Sequence, residues 1–180
     1  MKLTVKNYAI IAFCTAIIAV LSQISIPVPV VPLTMQTLAI GLVATILPWR
    51  QSVKTTALYI IIGAIGMPIY ANFTGGFGIL FGPTGGFIFS FLIMAFVISF
   101  YLSTFGHSKW HTIHANLIAM LINLIIGTVW LKYYLQLNWD EAFMSGFMPF
   151  IVVGVIKAVL AATIGLTIRQ RLLQAKLLAF

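Results

Sequence analysis

Long apolar runs, separated by prolines, glycines and basic residues, constrain this chain more than any other feature. The runs are roughly 15 to 22 residues long, which suits helices that need about 20 residues to cross a bilayer. They are too continuous for the alternating pattern of a membrane β-barrel. Since 62% of the 180 residues are hydrophobic and 7% are charged, the chain lacks the polar surface of a soluble globule. The sequence therefore predicts an all-α, multi-pass protein of the cell membrane, with one domain over residues 1–180.

Breaker residues divide these runs into six predicted transmembrane helices. Pro27, Pro48 and Pro68 each end a run, because proline lacks a backbone donor and pushes the preceding residue towards extended geometry. A glycine-rich segment at residues 66–87 follows the third run and is too apolar for a solvated linker. Such backbone is tolerated at membrane depth where protein buries it or where it lines a cavity, so we expect it to fold over a pocket. The predicted spans are approximately residues 8–26, 34–48, 52–67, 84–103, 112–131 and 147–169.

The basic residues indicate how these helices are oriented. Apart from Lys157, they fall before the first span, in alternate connections and after the last span. The opposite side carries only Lys132, at the end of the fifth span, together with the only acids, Asp140 and Glu141. By the positive-inside rule, both termini are predicted to be cytoplasmic and the glycine-rich segment to be an outer loop. The net charge of +8 is thus explained by basic residues that flank the helices and set their orientation in the bilayer, and nucleic-acid binding is not expected. The basic residues concerned are Lys2, Lys6, Arg50, Lys54, Lys109, Arg169, Arg171 and Lys176.

Lys157 is the strongest candidate for a functional residue. It lies inside the apolar run 147–168, which contains no carboxylate. A charge held in hydrocarbon costs at least ~2.5 kcal/mol, so such a lysine is expected to serve a function. At 1.5 Å per residue, it lies roughly 15 Å below the outer end of its helix. The sequence predicts a cation at the bottom of a pocket that opens outwards.

Uncharged polar residues in apolar surroundings need partners, because an unpaired buried polar group is costly. Asn116 and Asn123, seven residues apart on one helical face, are interpreted as hydrogen bonding between helices. For Asn72, in the glycine-rich segment, ligand contact and internal hydrogen bonding are both left open. Phenylalanines flank the same glycines, and an apolar pocket with few polar groups suits a mostly hydrophobic small ligand.

Two further patterns have more than one interpretation. The first span carries alanines at 9, 12, 16 and 19, a spacing that permits close helix contact either within the protein or with a partner. His107, His111 and His114 would align on one helix and could bind a metal, but no cysteine or carboxylate joins them. We therefore interpret them as a solvated interfacial cluster, with no metal site. The segment Asn138 to Glu141 has the spacing of a helix capping box.

Catalytic motifs are missing from the sequence. It contains no paired intramembrane carboxylates and no phosphate-binding GxxxxGK[ST] loop. An ATP-driven process would therefore need another subunit to hydrolyse the nucleotide. A lysine alone can act as a base or form a Schiff base, so an intramembrane lysine-dependent enzyme is retained as an alternative of another class.

Several segments together resemble the BioY family, the biotin-specific substrate-binding components of energy-coupling factor vitamin transporters. They are IPVPVVPLTMQT at residues 26–37, GMPIYANFTGGFGILFGPTGGF at 66–87, GTVWL at 127–131 and GFMPFIVVGVIK at 146–157. The resemblance implies six helices, biotin as the transported ligand with no cofactor, and a transmembrane coupling protein that carries two ATPases. It implies that Ala12 and Ala16 meet that coupling protein. The predicted substrate-binding residues are Lys157, Asn72, Gly75, Gly76, Thr84, Gly85, Gly86, Phe87, Gly154 and Gln36.

One position departs from the family pattern. Members of this family usually have an acid three residues before the lysine of the last helix, and Gly154 occupies that position here. Without the acid, Lys157 is expected to be more available to an anionic group, such as the carboxylate of biotin. A shift of specificity towards a related acidic cofactor such as lipoate is the alternative within transport.

Single cysteines test the predicted orientation. In a Cys14→Ser background, we expect an impermeant thiol reagent to label Asn138→Cys but not Ser108→Cys on intact cells, because short basic connections remain cytoplasmic. The reverse pattern would place Lys157 near an inner opening. Labelling at both positions would contradict the six-span prediction.

Overall fold

The computed structural model describes residues 5–177 and is built almost entirely from helices. Lys2, one of the basic residues ahead of the first predicted span, lies outside the described residues. The α-helices are α1 (Val5–Ser22), α2 (Gln36–Ile46), α3 (Trp49–Ala64), α4 (Phe77–Leu80), α5 (Gly85–Phe105), α6 (Lys109–Leu135), α7 (Trp139–Gly146) and α8 (Met148–Gln174). A short 3-10 helix, Ala71–Phe73, lies between α3 and α4.

Local sequence signals explain where these helices end. Pro48 precedes α3 with a φ of −61°, and Gly66 follows that helix with a φ of +108°, a conformation that favours glycine. Gly106, with a φ of +87°, ends α5. The predicted capping box is confirmed at the start of α7, where the Asn138 side chain accepts from Glu141 N and the Glu141 side chain accepts from Asn138 N.

Four helical stretches within residues 5–177 are long and apolar enough to cross a membrane, namely Val5–Ser22, Gly85–Phe105, Lys109–Leu135 and Trp139–Gln174. The second and third predicted spans correspond to shorter helices. At 1.5 Å per residue, the 11 residues of α2 cover only about half of a ~30 Å hydrocarbon core. This short helix is buried against α1, α5 and α8, so neighbouring helices rather than lipid surround it.

The connection between α1 and α2 contains strand pairing that the sequence analysis did not predict. Strands β1 (Ser25–Ile26) and β2 (Leu33–Thr34) form a two-stranded antiparallel ribbon. Ser25 lies opposite Thr34, and Ile26 lies opposite Leu33. The prolines between the strands lack donors but lie outside the paired residues, so they do not interrupt this ladder.

Two glycines bring α5 and α6 unusually close together. A Cβ at Gly86 would clash with Trp130, and a Cβ at Gly127 would clash with the ring of Phe87. Trp130 also donates from Nε1 to the Gly82 carbonyl at 2.9 Å, which ties α6 to the end of the glycine-rich segment. Small residues allow this close approach, which is a main source of attraction between helices in lipid.

We expect Gly86→Ala to lower the thermal unfolding midpoint in detergent, because the added methyl group overpacks the contact with Trp130. Overpacking a well-packed site costs about 1–3 kcal/mol. Gly78→Ala is the matched control, since a Cβ there meets no atom within 4 Å. Equal midpoints for the two variants would show that the α5–α6 contact tolerates the extra volume.

Candidate functional site

A cavity of about 220 Å³ lies between the ribbon, the glycine-rich segment and helices α2, α5, α6 and α8. Most of its wall is apolar, and a few polar side chains project among the apolar ones, which is the usual composition of a small-molecule site. The apolar wall includes Ile88, Phe87, Phe91, Met120, Leu124 and Phe150. The polar side chains are those of Thr34, Gln36, Thr37, Asn72, Thr74, Thr84, Asn123 and Lys157.

Lys157 lines this cavity, and its side chain is only 8% exposed. Its Nζ donates to the backbone carbonyl of Thr34 at 2.9 Å, which links α8 to β2. An ammonium group has three donors, so this bond leaves hydrogens for a second acceptor. The amine is therefore buried and oriented, and it retains hydrogen-bonding capacity towards a ligand.

Gln36 links Thr34, whose carbonyl accepts from Lys157, to the interior of the protein. Its Oε1 accepts from Thr34 Oγ1 at 2.8 Å, and its Nε2 donates to the Tyr59 hydroxyl at 2.6 Å. Tyr59 is fully buried on α3, and its hydroxyl shares a hydrogen bond of 2.9 Å with Ser22 Oγ. Gln36 is thus held between the ribbon and α3. No local pattern points to Tyr59, because an aromatic residue in an apolar helix ordinarily serves packing.

Asn72 also lines the cavity, in a left-handed backbone conformation with a φ of 56°. Asparagine tolerates this conformation better than most residues do. Its Oδ1 accepts from Ser25 Oγ at 2.5 Å, and the next residue, Phe73, donates from its backbone N to Gln23 Oε1 at 2.8 Å. The α1–α2 and α3–α4 connections are therefore joined, and the Asn72 amide nitrogen remains as a donor.

The four glycines of the predicted site have a different environment from Asn72. Gly75, Gly76, Gly85 and Gly86 do not line the cavity. A Cβ would clash with the Met67 carbonyl at Gly75, with the Leu80 carbonyl at Gly85 and with Trp130 at Gly86, while Gly76 has a φ of +104°. Where these glycines allow another group to approach the backbone closely, that group therefore belongs to the protein itself.

Thr84, Phe87 and Gly154 do line the cavity. Gly154 lies on α8 and faces α6, where a Cβ would lie 3.1 Å from Met120 Sδ. The position that departs from the family pattern therefore faces the cavity. Since Met120 is flexible, a small side chain at 154 could be accommodated.

Asn123 lies on the cavity wall as well, which the sequence analysis did not predict. Its Nδ2 donates to the Phe87 carbonyl at 3.1 Å and to Ser90 Oγ at 2.6 Å, so the predicted hydrogen bonding between helices is confirmed. Asn116 likewise donates to Thr45 Oγ1 on α2 at 3.0 Å, but it does not line the cavity. The two asparagines differ in which helix packs against them: Asn123 bonds α5, and Asn116 bonds α2.

The remaining candidates lie away from the cavity. Ala12 and Ala16 are exposed on α1, so they do not pack inside the described part of the chain. His107 precedes α6, whereas His111 and His114 lie within that helix. Burial, and to a smaller extent the positive charge of Arg169, lowers the pKa of His107 to about 4. Within residues 5–177, no group of three or more His, Cys, Asp or Glu side chains is arranged to hold a metal ion.

The fold and cavity define a helical membrane protein with a mostly apolar internal cavity of a composition that suits a small molecule. Comparison with known proteins specifies the family: the BioY family model matches residues 1–174, and the chain belongs to the BioY family. It is a multi-pass membrane protein.

Relatives and a solved structure agree with this placement. The chain is 44% identical over 166 residues to the biotin transporter BioY2 of Lactococcus lactis, covering 92% of this chain and 91% of that protein. It is 35% identical to the biotin transporter BioY of Thermotoga maritima, covering 87% and 91%. The crystal structure of the S-component for biotin from an ECF-type ABC transporter superposes with a TM-score of 0.85 at 25% identity, covering 94% of this chain and 95% of that one.

Proposed function

We propose that this protein is the membrane-embedded, biotin-binding subunit of an ECF-type vitamin transporter and captures biotin from the outer side. The observation that carries the proposal is the buried Lys157 in a mostly apolar cavity, in a chain 44% identical to a biotin transporter. The proposed activity is binding and transport, not catalysis. The sequence has no nucleotide-binding loop of its own, so ATP hydrolysis is assigned to other subunits.

The chemistry of biotin matches the cavity. Its sulfur-containing ring and aliphatic chain are apolar and suit the wall formed by Phe87, Phe91 and Phe150. Its carboxylate and ureido carbonyl are both acceptors, and Lys157 and Asn72 offer donors. We assign Lys157 and Asn72 to ligand contact. Gln36 is assigned a structural role, because it holds Thr34, the ribbon residue whose carbonyl accepts from Lys157.

The proposed topology has six membrane spans with both termini in the cytoplasm. One end of the bundle brings together Arg169, which donates to the Ile46 carbonyl, and His107 in the short α5–α6 connection. Basic residues follow on the same connections, as the positive-inside rule requires of a cytoplasmic side. The ribbon and the glycine-rich segment are then outer structures, and α2 and α3 complete the count by packing inside the bundle.

We assign Ala12 and Ala16 to contact with a transmembrane coupling protein that carries two ATPases. Both alanines are exposed on α1, and that helix buries only the opposite face formed by Ile11, Cys14 and Ile18. Small exposed side chains permit close approach of a partner helix in lipid. This arrangement favours partner contact over the internal packing that the spacing alone left open.

Replacing Lys157 tests the ligand assignment. We expect Lys157→Met to weaken biotin binding by about tenfold or more, measured by calorimetry on purified protein, because a hydrogen bond to a charged group contributes about 1.5–3 kcal/mol. Methionine keeps an unbranched apolar chain and removes the cation, so membrane insertion should persist. Lys132→Met is the control, since Lys132 does not line the cavity. Unchanged affinity in well-inserted Lys157→Met would refute the assignment, and tighter binding of lipoate than biotin by the wild type would favour the related-cofactor alternative.

Leucine substitutions test the partner surface. We expect Ala12→Leu and Ala16→Leu to reduce co-purification with the coupling protein, because added bulk prevents close helix contact. Biotin binding by the isolated subunit should remain, since neither residue lines the cavity. Ala175→Leu is the matched control, because it adds the same bulk at an exposed alanine at the end of α8, away from α1. Full co-purification of both alanine variants would mean that the partner meets another face.

A further inference from the structure

We infer that Asn123 is a ligand-binding residue whose amide oxygen accepts a hydrogen bond from a ring N–H of the ligand. This inference rests on the proposed biotin function, because the ureido ring of biotin carries two such N–H groups. It assigns to the cavity an acceptor that complements the donors on Lys157 and Asn72.

The orientation of the amide is fixed by its two partners. Asn123 Nδ2 lies 3.1 Å from the Phe87 carbonyl, which can only accept. It also lies 2.6 Å from Ser90 Oγ, and the Ser90 hydroxyl hydrogen is already donated to the Phe87 carbonyl at 2.8 Å. Both partners therefore require the amide nitrogen at this position. A flipped amide would set its oxygen against two acceptors.

The amide oxygen is consequently the group left for a ligand. Asn123 is 2% exposed and lines the cavity, yet its Oδ1 accepts no hydrogen bond from the residues that the structure describes, 5–177. The Asn116 oxygen is also unpaired but is fully buried away from the cavity, whereas the Asn123 oxygen keeps accessible surface at the cavity, where a ligand N–H would satisfy it. Two hydrogen bonds to α5 hold the group in place, so little side-chain entropy is lost when the ligand binds.

The charge pattern of the cavity supports an uncharged acceptor. The only carboxylates of the side chains in the sequence, Asp140 and Glu141, lie on α7 and do not line the cavity. A ligand that presents N–H groups as well as acceptors needs an acceptor from the protein. The Asn123 oxygen meets this need beside Met120, one turn earlier on the same helix, and Met120 in turn faces Gly154.

Two analogues of biotin test the inference on the wild-type protein. In each, one ureido N–H is replaced by a ring oxygen, which gives a cyclic carbamate of nearly the same size. We expect one of the two to bind about tenfold more weakly than biotin by calorimetry, because a donor is lost and its replacement faces an amide oxygen. If biotin binds and both carbamates bind as tightly as biotin does, the role of Asn123 is refuted while the proposed function stands. If the wild type does not bind biotin, the proposed function itself fails.

Variants then assign the effect to Asn123. In Asn123→Ala, the discrimination between biotin and the weaker carbamate should fall to about twofold or less, since the acceptor is gone. Asn123→Leu, which preserves volume, serves if the alanine variant does not fold. Asn116→Ala is the matched control, because Asn116 bonds α2 from the same helix face without lining the cavity, and it should retain wild-type discrimination. Undiminished discrimination in the folded Asn123 variants would overturn the inference.

Discussion

The hydrogen bond from Lys157 to the Thr34 carbonyl is the interaction on which the site depends. A cation inside an apolar bundle needs a partner, and a backbone carbonyl of the ribbon supplies it at 2.9 Å. A carbonyl stabilises the amine through its dipole without neutralising its charge. The lysine is therefore held in one direction and keeps donors for a further acceptor.

The position of that carbonyl depends on a hydrogen-bonded network behind it. Thr34 bonds Gln36, Gln36 bonds Tyr59, and Tyr59 shares a hydrogen bond with Ser22 on α1. Each of these groups is polar in an apolar interior, so breaking one bond would leave an unsatisfied partner. The network thus fixes the ribbon to α1, α2 and α3. It explains how a strand of two residues can hold the Thr34 carbonyl next to the buried amine of Lys157.

Glycine positions determine the shape of the cavity in a less direct way. Gly86 and Gly127 bring α5 and α6 together, which places Phe87 and Asn123 side by side on one wall. Gly75 and Gly85 permit turns of the glycine-rich segment against its own backbone. These glycines set where other side chains of the cavity wall lie, because each of them is in close contact with protein.

The sequence by itself determined the helical membrane class and the capping box at Asn138, and it singled out Lys157 as a candidate. Hydrophobic run length, local spacing and the cost of a charge in lipid are all properties of the linear chain. The family resemblance also came from the sequence, and the comparisons confirm it.

Tertiary structure decided which polar residues meet. Asn116 and Asn123 share one helix face, yet only Asn123 reaches the cavity, and Gly85 and Gly86 pack against protein although they are neighbours of Phe87 in the cavity wall. Tyr59 and Thr34 gain their roles from contacts between distant segments, which no local pattern encodes.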